Sequence, residues 1–102
     1  MANVKVGLYV RLHAKPGKED ELQQLLTGAL ALANREAGTT VWFAIKYDKS
    51  TFAIFDAFGD ESGRKAHLGG DIAKALMAKA PELLAQPPNI EQVDVLAAKI
   101  PG

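Results

Sequence analysis

His67 is the side chain best suited to proton chemistry here, because imidazole alone has an unperturbed pKa near neutrality. It closes the segment FAIFDAFGDESGRKAHL, residues 52–68. A short aromatic-rich strand runs there through Asp56 and Phe58, turns at Gly59 and Asp60, and enters a helix carrying His67 one to two turns in. An imidazole so placed can serve as a general base on an acidic hydroxyl. It can also be a helix residue bonded to a backbone carbonyl or to the turn at Gly59. Asp56 lies in an otherwise apolar strand, where an unpaired carboxylate is costly. Pairing with His67 or capping a helix N-terminus would relieve that cost, so its role is structural or catalytic. Trp42, Phe43, Phe55 and Phe58 can wall a flat apolar pocket or simply pack the core or an interface. Met77 is open to the same two readings.

Several chemistries find no residues to carry them. The chain has no cysteine, so thiolate nucleophiles, disulfides and zinc–thiolate sites are out of reach. His13 and His67 stand on different elements, so no metal is expected. Gly69 and Gly70 lack the preceding strand and following lysine of a phosphate loop. No G-x-S-x-G elbow occurs. Twelve basic and 12 acidic residues give zero net charge, and they are dispersed. A nucleic-acid partner would want a basic stripe, so none is expected. No apolar run approaches the ~20 residues of a membrane span. The segment MANVKVGLYV alternates and does not resemble a signal peptide. The expectation is a cytoplasmic protein with one domain over residues 1–102, the usual count for 102 residues.

The elements that must position His67 follow from periodicity. Residues 4–13 alternate strictly, with Val4, Val6, Leu8, Val10 and Leu12 on one face and Lys5, Gly7, Tyr9, Arg11 and His13 on the other. If that second face lines a dimer interface, Arg11 is expected to pair with an acid such as Asp94 or Glu91; binding a substrate anion is its other reading. After Lys15-Pro16-Gly17, residues 18–36 show a helical stripe of Leu22, Leu25, Leu26, Ala29, Leu32 and Ala33, with Gly38 as its punctuation. Residues 39–48 and 51–58 form a hairpin of two strands, apolar on both faces. Asp60 caps the next helix. Gly69-Gly70 interrupts it, Asp71 caps its continuation over residues 72–84, and Pro87-Pro88 stops it. Residues 90–98 are the last strand. The order β-α-β-β-α-β predicts an α+β, ferredoxin-like fold: a four-stranded antiparallel sheet with two helices on one face. The other face keeps apolar groups, and a second copy of the chain is the economical cover.

At this point the chain resembles the antibiotic biosynthesis monooxygenase family, within the dimeric α/β-barrel superfamily. The resemblance spans roughly residues 5–97. It rests on VRLHAKPGKEDEL, on EAGT before the second strand, on FAIFDAFGDESGRKAHL, and on LLAQPPNIEQVDVLAA. Asp56 stands where the family more often has Glu. The resemblance implies a homodimer whose two sheets close into a barrel. It also implies a cofactor-independent oxygenase acting on an aromatic, phenolic or quinol-type small molecule, whose own carbanion reduces O2. His67 and Asp56 are then the catalytic candidates, and Leu8, Trp42, Phe43, Phe58 and Met77 the substrate-binding ones. Haem degradation, found elsewhere in the superfamily, requires Asn, Trp and His where this chain has Leu8, His67 and Met77. The purified protein is therefore expected to be colourless. Two alternatives stay open: an isomerase or mutarotase-like enzyme on a small oxygenated metabolite, and a non-catalytic ligand-binding dimer.

Overall fold

The computed structural model describes residues 3–101. Met1, Ala2 and Gly102, which belong to the domain and N-terminal readings above, lie outside the described residues. The elements run β1 (Val6–His13), α1 (Glu19–Gly28), α2 (Leu30–Ala33), β2 (Thr39–Lys46), β3 (Thr51–Phe58), α3 (Glu61–Leu68), α4 (Asp71–Leu83) and β4 (Asn89–Asp94). The strands pair antiparallel in the order β2-β3-β1-β4. This is the ferredoxin-like arrangement, with each helical crossing split in two. No helix among the described residues is long and apolar enough to cross a membrane.

Strict alternation in β1 and β3 decides what the helices cover. Leu8, Leu12, Phe52, Ile54 and Phe58 are all nearly inaccessible, and Leu12, Phe52 and Ile54 pack with Leu22, Leu26 and Leu76 from the helices. The opposite face carries Tyr9, Arg11, Val41, Phe43, Ile45 and Phe55, and among the described residues no helix lies on it. Residues 95–101 cross part of that face. Val95, Ala97 and Ile100 form a groove with Val41, Phe43 and Phe55.

Some boundaries differ from the sequence expectation. The helix expected over 18–36 ends at Ala33, after an irregular turn at Ala29. The helix after Gly70 stops at Leu83, one residue short of the expected 72–84. Leu84 leaves it in extended form to bridge Ala14, with Lys15 N–H donating to Leu83 O and Ala85 N–H to His13 O, both at 2.8 Å. Gly70 rather than Asp71 is the N-cap of α4; Asp71 sits in its first turn, where an acid suits the helix dipole. The last strand covers Asn89–Asp94 only.

Within one chain Arg11 does not pair with Asp94 or Glu91. Register explains this: Arg11 stands across from Asn89, while Glu91 and Asp94 face Tyr9 and Val6. The guanidinium lies instead 4.9 Å from the ring centre of Tyr47 and donates weakly to the Tyr9 hydroxyl at 3.4 Å. The hydroxyls of Tyr9 and Tyr47 hydrogen-bond to each other.

Candidate active site

The site grows from β3. Alternation turns Asp56 toward the helices, between Ile54 and Phe58, and leaves it wholly inaccessible. One turn later Asp60 starts α3, its carboxylate accepting from Gly63 N–H at 3.0 Å and Ser62 Oγ at 2.8 Å. That cap fixes the helical phase, and His67 falls on the inward side of α3. Its Nε2 lies 2.9 Å from Asp56 Oδ2, and its Nδ1 lies 2.6 Å from Glu36 Oε1. The Phe58 ring leans on the imidazole, centroids 5.4 Å apart. Glu36 also accepts from Thr39 Oγ1 at 2.7 Å.

Glycines let Glu36 reach His67. A Cβ on Gly63 would stand 2.8 Å from the carbonyl oxygen of Gly38, so the loop before β2 can press against α3 only because both residues lack side chains. A Cβ on Gly70 would stand 2.9 Å from Glu36 Oε2. The tip of α3 and the start of α4 thus form a notch for that carboxylate.

The electrostatics follow from the order acid, imidazole, acid. Burial pushes the imidazole pKa down. Asp56 and Glu36 outweigh it from either side and raise the pKa to about 9. At neutral pH His67 is therefore an imidazolium with both N–H groups turned to carboxylates. It has no lone pair to offer, so the simple expectation of a free general base does not describe the resting protein. Neither oxygen of Asp56 accepts a well-aligned hydrogen bond. Its contact with His67 is chiefly ionic, and Oδ1 has no partner among the described residues.

Two clefts lie on the helix side of the sheet, the first against this line and the second next to the first. One, of about 230 Å³, is polar at its base and lined by Glu36, Gly38, Thr39, Gly63, His67 and Gly70. The other, of about 270 Å³, is apolar and lined by Leu25, Ala29, Ile54, Ile72 and Leu76. Leu32 borders both.

Of the residues expected at the site, the structure brings together His67, Asp56, Leu8, Trp42 and Phe58. Leu8 and Trp42 stand directly across from Asp56 on the two neighbouring strands. Phe43 and Met77 lie elsewhere. Phe43 points to the uncovered sheet face and is 54% exposed, because it is one step out of phase with Trp42. Met77 follows Leu76, whose side of α4 is the buried one. It is 55% exposed and borders a separate cleft with Lys15, Pro81 and Pro87. Sequence reasoning missed Glu36; its only signal is its place in EAGT, an acid beside small residues just before a strand. Arg64 was missed too. It is buried, doubly bonded to Glu61 at 2.6 and 2.7 Å, and donates to Gly7 O and Val93 O. It fastens α3 to the sheet.

Comparison with known proteins places this geometry in context. A protein of unknown function from Nitrosomonas europaea, NE2512, is 61% identical over 97% of this chain and 96% of its own, with a TM-score of 0.95. The chain belongs to the same family as that protein. A proposed antibiotic biosynthesis monooxygenase from Caulobacter crescentus superposes with a TM-score of 0.79 at 22% identity, covering 92% of each chain. Another from Nitrosomonas europaea gives 0.81 at 15% identity, over 90% of this chain and 99% of that one. The fold is thus that of the antibiotic biosynthesis monooxygenases, as the sequence segments imply. No protein-family model and no curated protein matches the chain.

Proposed function

We propose that this chain is a monooxygenase of the antibiotic biosynthesis type, oxidising a single-ring phenolic or quinol-type molecule with O2 and without metal, flavin or haem. The observation that carries the reading is the cationic His67 held between Asp56 and Glu36, with a polar cleft beside it and an apolar cleft that shares Leu32 with the polar one. The apolar cleft suits one ring, since ~150 Å³ already holds a benzene. The fold likeness supports oxygenase chemistry without specifying a substrate.

The steps balance as follows. The phenol O–H proton passes to Asp56 as the ring carbon para to it donates an electron pair to O2. A C–O bond forms, leaving a peroxide anion that is protonated to the hydroperoxide. Loss of the C–H proton and cleavage of O–O release water and leave a quinone. One phenol and one O2 give one quinone and one water. The chain's own part is proton traffic at Asp56, which holds the phenol proton and returns it to the peroxide, while His67 keeps both N–H groups and its charge between Asp56 and Glu36. Glu36 borders the open cleft and exchanges with solvent. The imidazolium charge also offsets the phenolate as it forms.

Oxygen uptake with a panel of single-ring phenols and naphthols tests this. With ¹⁸O2 one label should enter the quinone and the other water. His67→Ala should slow turnover by about 10²- to 10⁴-fold. A second reading, a ligand-binding protein without chemistry, has one observation in its favour: both ring nitrogens of His67 are engaged in tying loop, strand and helix together. Under it no phenol consumes O2, and His67→Ala only lowers the melting temperature. We also propose that two copies pair through the uncovered sheet face.

A further inference from the structure

Trp42 Nε1–H and Asp56 Oδ1 are shut off from solvent, and neither has a hydrogen-bond partner among the described residues. They belong to direct cross-strand partners on the helix side of the sheet, whose Cβ atoms stand about 5 Å apart. A buried donor or acceptor without a partner costs roughly 1–3 kcal/mol. One of each at a single register position points to a shared third group. That group must accept from the indole and donate to the carboxylate. A hydroxyl does both with one oxygen. An ether or a carboxylate cannot donate, and an ammonium cannot accept.

The surroundings supply the rest of the ligand. The indole packs at the junction of the two buried apolar clusters, against the Val10–Leu76 group on one side and Ala29, Ala33 and Ile72 on the other. The apolar cleft is walled by members of both groups. Its strand residue, Ile54, is the next on the same face of β3 as Asp56.

We propose that Trp42 and Asp56 form a hydroxyl-recognition subsite at the inner end of the apolar cleft. The ligand is an apolar ring lying between α1, α4 and β3, its hydroxyl accepting from Trp42 and donating to Asp56. The subsite rests on the oxygenase reading and narrows its substrate to molecules with a free ring hydroxyl. Methyl ethers of the same ring are rejected because they leave Asp56 without a donor.

Trp42 is the single tryptophan, so the protein shows one indole N–H signal by NMR. Under argon, hydroquinone should move that signal downfield to saturation, and 1,4-dimethoxybenzene should not. Trp42→Phe should weaken hydroquinone about tenfold, the factor expected for one lost hydrogen bond. Its melting temperature should hold or rise, because the unpartnered donor is gone. Equal shifts with both probes would overturn the proposal. So would hydroquinone binding that leaves the indole signal unmoved and the Trp42→Phe affinity unchanged; if phenols still consume O2, the oxygenase reading survives that result. Absence of both hydroquinone binding and O2 uptake would overturn both.

Discussion

At pH 7 the imidazole of His67 carries a proton that burial alone would remove. Asp56 and Glu36 hold it there, with a pKa of about 9 against 6.5 in the unfolded chain. A raised folded-state pKa means stability fully present below pH 6.5 and lost as pH rises through 9. Thermal melts from pH 6.5 to 9.5 should therefore show a falling melting temperature, by roughly 5 °C or more. In His67→Gln the curve should be flat across that interval; a slope unchanged from wild type would refute the assignment. His67 and Asp56 were legible in the sequence because each is conspicuous: an imidazole at a strand–helix junction, a carboxylate in an apolar strand. Glu36 was not, since it meets His67 across 31 residues through backbone contact between two glycines. Trp42 and Phe43 could not be told apart either. Both faces of β2 are apolar, and only the packed helices show which one is inside.

The segments that carry these residues depend on close backbone approach. Gly63→Ala would place a methyl 2.8 Å from Gly38 O, an atom that cannot rotate away. The loop before β2 must retreat, which should cost about 1–3 kcal/mol and draw Glu36 from His67. An NMR titration of the imidazole should then show its pKa lowered from the wild-type value. Gly28→Ala is the contrasting substitution. It lies in α1 with nothing within 4 Å of the new methyl, so it should stabilise by about 0.5–1 kcal/mol in chemical denaturation. Helix starts were readable from local chemistry, as the Asp60 cap shows. Helix ends were readable in part: the stripe expected to residue 36 ends at Ala33, while α4 ends within one residue of its expected limit. Leu84 leaves α4 to pair with Ala14, a partner 70 residues away, and no neighbouring residue announces it.

The whole sheet was legible because its strands alternate or run apolar at the expected spacing, and β-α-β-β-α-β closes in few ways. Its uncovered face is where a partner is expected. Two copies should bury more than the ~1,000 Å² that marks a stable interface, and light scattering at micromolar concentration should report a dimer. Phe43→Glu, on the exposed part of that face, should yield monomers with the His67 region intact. The same face has a further consequence for handling. Its middle is made of Val41, Phe43, Ile45 and Phe55, and its one central cation, Arg11, already lies against Tyr47. With zero net charge on each chain, no long-range repulsion opposes association and none is left for ions to screen. Assembly should accordingly be indifferent to added sodium chloride yet loosen on cooling, because apolar association weakens as temperature falls. Chilling a dilute sample, rather than salting it, should be what takes such a pair apart.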